Sequence, residues 1–114
     1  MRWLLAALLF VAVPAWAQTG APTDCSGTVG TTSTPITFSR FPQLYVTITN
    51  PNSGTTAKLA ANPTGAAVID GQGSFPMDSN GAFWTWPGAG GYPPPATLNI
   101  IASAPSTPFT CKYQ

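Results

Sequence analysis

The chain has 114 residues, of which only 6% are charged, with 4 Lys or Arg, 3 Asp and no histidine or glutamate. So few cations cannot neutralise a nucleic-acid backbone, which argues against nucleic-acid binding. The lack of histidine excludes Ser-His-Asp and Cys-His catalytic devices in their usual form and any histidine-based metal site. We therefore expect no metal and no cofactor.

The first 17 residues have the features of a secretory signal peptide. Arg2 supplies the positive charge, an apolar run from Trp3 to Val13 follows, and Ala15-Trp16-Ala17 places small residues at the cleavage site. The apolar stretch is shorter than the about 20 residues that span a bilayer, so we expect cleavage and no stable membrane anchor. The product would have 97 residues, the 114 of the chain less the 17 of the leader. We predict it to be secreted or periplasmic.

The two cysteines, Cys25 and Cys111, lie near the two ends of the remaining residues 18–114. Export would place them in an oxidising compartment, where a disulfide persists. A bridge that closes so long a loop stabilises a protein by about 4 kcal/mol in the chain-entropy model. We predict this bridge; two unpaired buried thiols are the alternative.

The region after the leader contains short period-two hydrophobic patterns separated by turn residues. In the clearest of them, Leu44, Val46 and Ile48 are expected to point inward. In the last, Phe109, Cys111 and Tyr113 share one face. The predicted strands, in chain order, are 35–39, 43–49, 56–60, 66–69, 75–77, 82–86, 97–103 and 107–113.

Seven or eight short strands at about ten-residue spacing predict an all-β fold. We expect residues 18–114 to form a single antiparallel β-sandwich or small barrel domain. No internal repeat and no second domain is evident in the sequence.

The three aspartates are the only carboxylate side chains for acid–base chemistry. Asp70 and Asp78 could in principle form a glycosidase pair. Both stand in turn sequences, Asp70-Gly71 and Asp78-Ser79-Asn80-Gly81, where aspartate is favoured because it bonds to its own backbone. We therefore predict turn roles for them, no catalytic residue and no enzymatic activity.

The aromatic residues near position 85 are the main candidate for binding. In the predicted strand, Trp84 and Trp86 fall on one face and Phe83 on the other, and Tyr92 follows in a Pro- and Gly-rich loop. An exposed pair of tryptophans can form a flat platform for sugar rings or for the apolar surface of a partner. Trp84, Trp86 and Tyr92 are thus the candidate binding platform. The alternative, which the pattern favours, is packing in the core and under the loop.

Three features of the sequence form a further pattern: a strand, asparagine turn and strand at 44–50 and 56–59, a Gly-rich turn with an apolar strand at 71–77, and closing strands at 98–103 and 107–113. Together these segments resemble the small β-sandwich accessory proteins of tailed-phage virions. That resemblance covers about residues 36–113 and implies a head-decoration, tail or spike accessory role, with no catalytic residues.

Two functional hypotheses remain besides the disfavoured enzyme. The first is an exported, non-catalytic structural or surface-display module, virion-like in character, which binds a protein partner or assembles with itself at a virion or cell surface. The alternative is a secreted carbohydrate-binding module that uses the aromatic platform to bind glycan.

Overall fold

The computed structural model describes residues 21–53, 57–88 and 91–114. The expected signal peptide, residues 1–17, lies outside the described residues. Within them the chain is all-β, with nine short strands and no α-helix, and no helix there is long and apolar enough to cross a membrane. The strands are β1 (Thr23–Asp24), β2 (Gly27–Val29), β3 (Thr34–Ile36), β4 (Val46–Thr49), β5 (Leu59–Asn62), β6 (Phe75–Met77), β7 (Phe83–Trp86), β8 (Leu98–Ala102) and β9 (Thr107–Tyr113).

The strands form two antiparallel sheets that face each other. The front sheet has the order β1-β9-β4-β7, with β2 also paired to β9, and the back sheet has the order β3-β8-β5-β6. All the strand pairs are antiparallel. The all-β prediction is confirmed, and the layers are those of a sandwich.

The core lies between the sheets and follows the period-two pattern. Alternate side chains of a strand point to opposite faces, so every second residue of β4, β8 and β9 is buried, while all four residues of β5 are buried. The buried set comprises Val46 and Ile48 of β4, Leu98, Ile100 and Ala102 of β8, and Phe109, Cys111 and Tyr113 of β9. The predicted strand 107–113 is confirmed with the same bounds as β9.

Two local predictions were wrong. Leu44 was expected in the core but is 61% exposed, because the backbone amides of residues 43–45 all donate to the carbonyl of Gln114 and the chain is therefore not extended there. Residues 66–69 were expected to form a strand but contain none. The amide of Gly71 donates to the carbonyl of Val68 and closes a turn, not a two-stranded hairpin.

The predicted disulfide is present, and it joins Cys25 to Cys111 with 4.7 Å between the Cα atoms. The Cys25 amide donates to the Cys111 carbonyl at 2.9 Å. The Ser26 hydroxyl accepts from the Cys111 amide at 2.9 Å and donates to the Asp24 carboxylate at 2.6 Å. This donation from the Ser26 side chain is the main reason that the pKa of Asp24 lies below its ordinary value. We call the group of Asp24, Cys25, Ser26 and Cys111 the disulfide clip. It fastens the N-terminal strands β1 and β2 to β9.

Candidate functional site: the front face and the β7 edge

The outward side chains of the front sheet form a continuous surface on three neighbouring strands. In the register of β4 with β7, Thr47 lies opposite Thr85 and Thr49 opposite Phe83. In the register of β4 with β9, Thr49 lies opposite Thr110. These residues alternate with the buried ones, which is why they point to solvent. We call these five residues the front face.

The front face is rich in hydroxyl groups and carries one exposed aromatic ring. The hydroxyl oxygens of Thr47 and Thr85 lie 2.9 Å apart in a cross-strand hydrogen bond. Phe83 is 62% exposed, although a phenyl ring gains by leaving water. These five residues carry no charge, and Lys112, opposite Thr47 on the same outward side of β9, adds one cation beside them.

The candidate platform of tryptophans is not an exposed pair. Trp86 is completely buried, because it lies opposite Val46 on the core side of the front sheet. Trp84 faces the same way and is half-buried, and its indole nitrogen donates to the carbonyl of Pro76 at 2.7 Å. For Trp86 the structure therefore shows the packing in the core that the sequence pattern favoured, and not an exposed platform.

Phe75 of β6 is the centre of the aromatic group. Its ring centroid lies 5.0 Å from that of Trp84, 5.4 Å from that of Trp86 and 6.4 Å from that of Tyr92. Such edge-to-face pairs stabilise a core beyond their buried area. The rings thus close the side of the sandwich between β6 and β7. Tyr92 is 40% exposed and is the one member of the predicted platform that presents a large surface to solvent.

Within the part of the chain that the structure describes, no strand pairs with the outer edge of β7. Tyr45 and Gln114 exchange both backbone hydrogen bonds between β4 and β9, and on the other side of β4 the Asn50 amide donates to the Ala82 carbonyl. Because bonded pairs alternate along an antiparallel ladder, Trp84 and Trp86 bond to β4, while the amides and carbonyls of Phe83 and Thr85 point away from the sheet. Sequence reasoning missed this edge, because local patterns do not determine which strand is outermost.

The two aspartates once considered for acid–base chemistry occupy turns, as predicted. The Asp70 carboxylate lies 3.8 Å from the Lys58 ammonium in an exposed ion pair, and Asp78 is exposed at the start of a turn. The part of the chain that the structure describes contains no group of three or more histidine, cysteine, aspartate or glutamate residues suited to a metal ion.

No protein-family model, curated protein or solved structure matches this chain. The three side chains of the candidate platform all contact the Phe75 ring. They differ in exposure, since Trp86 is buried, Trp84 is half-buried and Tyr92 is exposed. Among the described residues, the features available for binding include the front face, the exposed edge of β7 and the ring of Tyr92.

Proposed function

We propose that the protein is an exported, non-catalytic structural or surface-display module that binds a protein partner or a copy of itself through the front face. The observation that carries the proposal is Phe83, a 62% exposed aromatic ring held among threonines on the front sheet. Exposed aromatic residues rimmed by polar groups are typical of interaction surfaces.

The rigidity of the front sheet supports this proposal. Thr49 is paired on both sides, with β7 through Phe83 and with β9 through Thr110, and β9 is in turn held by the disulfide clip. A preorganised surface loses little conformational entropy on binding, which favours association through a modest contact area. The resemblance to phage virion accessory proteins is consistent with a place on an assembled particle or a cell surface.

The test is co-sedimentation of the exported protein with particle and cell-envelope fractions from the organism that makes it. We expect wild type in one of these fractions and expect Thr110→Asp, which puts a charge in the middle of the front face, to be lost from it. Thr64→Asp, at an exposed turn remote from that surface, is the matched control and should behave as wild type. Free wild-type protein in every fraction, or undiminished association of Thr110→Asp, would reject the proposal.

A second candidate function, glycan binding, is favoured by one observation. Tyr92 is 40% exposed and stands over Phe75 in a perpendicular contact, so its ring could stack on a sugar. Titration with cello-, xylo- and manno-oligosaccharides should then change the fluorescence of half-buried Trp84, and Tyr92→Ala should abolish the change. The absence of any response, or the same response from Tyr92→Ala, would eliminate this function.

A further inference from the structure

Three of the four sheet edges are protected against pairing with another strand. The outer strands of the back sheet, β3 and β6, contain Pro35 and Pro76, and proline offers no amide for a further ladder. The β1–β2 edge of the front sheet carries the charge of Asp24 and is interrupted at the disulfide clip. The remaining edge, β7, contains neither proline nor a charged residue.

From this asymmetry we propose that β7 is a homodimer interface, at which the Phe83–Trp86 strand pairs antiparallel with the same strand of a second copy. The amides and carbonyls of Phe83 and Thr85 already point away from β4. With Phe83 opposite Thr85 of the second copy, they make four hydrogen bonds across a two-fold axis at Trp84. The two front sheets become one continuous sheet.

The charge distribution favours a second copy as the occupant. Residues 18–114 carry Arg40, Lys58 and Lys112 against Asp24, Asp70 and Asp78, which balance to zero. Two copies therefore approach without net repulsion, and β7 brings no like charges together. Antiparallel pairing of identical strands also satisfies the self-complementarity that a two-fold interface demands.

The proposed register also gives the exposed Phe83 ring a partner. The two Phe83 residues become diagonal neighbours on one face of the joined sheet, about 7–8 Å apart, within reach of aromatic side chains.

The inference rests on the proposed assembly role for its biological purpose, but its test is independent of any particle. Sedimentation of the exported protein over a 1,000-fold concentration range should show a monomer–dimer equilibrium. Phe83→Lys, which sets two ammonium groups diagonally across the interface, should weaken the dimer at least tenfold. Thr32→Lys, at an exposed position between β2 and β3 and outside the front face, should dimerise as wild type does.

Hydrogen exchange identifies the interface directly. The amides of Phe83 and Thr85 should become at least tenfold more protected as the protein concentration rises through the dimer transition, while other exposed amides are unchanged. A wild-type protein that stays monomeric, or a dimer in which these two amides remain unprotected, overturns the inference. Loss of particle association with dimerisation intact would instead reject the proposed function alone. Circular dichroism of each variant checks that it has folded.

Discussion

At the scale of single residues, Tyr113 shows how one buried polar group ties the sandwich together. Its hydroxyl accepts the Ser39 amide at 2.8 Å and the Arg40 amide at 3.3 Å, and it also bonds to the Ser39 hydroxyl. The bond to the Ser39 side chain is the main reason that the pKa of Tyr113 is lowered, although burial acts in the opposite direction. The alternation in β9 predicted that the ring faces inward, but no local pattern could show where the hydroxyl finds its partners.

Replacing Tyr113 with Phe should lower the free energy of unfolding by about 0.5–1.5 kcal/mol, because the change removes the hydrogen bonds that join the Tyr113 hydroxyl to the amides of Ser39 and Arg40. Urea unfolding followed by tryptophan fluorescence measures the difference. Tyr45→Phe is the matched control, since no hydrogen bond to the Tyr45 hydroxyl occurs among the described residues, and it should cost much less. Equal stability of wild type and Tyr113→Phe would show that these hydrogen bonds contribute nothing.

At the scale of secondary-structure elements, Asn50 joins the end of β4 to parts of both sheets. Its fully buried side chain donates to the carbonyls of Ala57 and Met77 at 3.1 and 2.7 Å. Its side-chain oxygen accepts from the backbone and side chain of Asn52. The sequence identified Asn50 only as a turn residue, because turn chemistry is local whereas the bond to Met77 crosses between the sheets.

We expect Asn50→Ala to destabilise the fold by about 3 kcal/mol or more, since it leaves buried carbonyls without a donor. Asn80→Ala, at an exposed turn position, should change stability by less than about 0.5 kcal/mol. Thermal unfolding of the two variants side by side provides the comparison. Similar melting temperatures for both would mean that the bonds made by Asn50 do not hold the sheets together.

Sequence periodicity predicted β9 and the edge strands β6 and β7 at or close to their observed bounds, placed β5 three residues too early at its start, and missed β1 and β2. Strand β9 is a seven-residue alternation whose buried half includes Phe109, Cys111 and Tyr113, and such a pattern specifies a half-buried strand by itself. Strands β1 and β2 have only two and three residues and no alternation, so they depend on the disulfide clip. The exposure of Phe83 and the burial of Trp86 follow from the alternation along β7, once the structure shows which face of the front sheet meets the core.

At the scale of the whole molecule, low charge makes stability nearly independent of pH near neutrality. The chain has no histidine, so no side chain has an ordinary pKa between about 5 and 8. Asp24 is the described carboxylate whose pKa is lowered, chiefly by the Ser26 hydroxyl. A carboxyl with a lowered folded-state pKa contributes stability that is present above its unfolded pKa and lost as the pH falls through the folded one.

The free energy of unfolding should therefore be flat from about pH 5 to 8 and should fall below about pH 4, the ordinary range of aspartate. Asp24→Asn should reduce the steepness of that acid limb, and Ser26→Ala, which removes the hydroxyl that donates to the Asp24 carboxylate, should do the same. Denaturant titrations at a series of pH values measure both. A free energy of unfolding that changes strongly between pH 5 and 8 would contradict this prediction.

The central claim is that this is an exported β-sandwich, closed by one disulfide, that functions through the surface it presents. Intact mass spectrometry of the protein, purified without reductant from cells that carry the natural gene, tests it most directly. We predict the mass of residues 18–114 with two hydrogens missing for the Cys25–Cys111 bond. A full-length chain with two free thiols, recovered from the cytoplasm, would contradict the account.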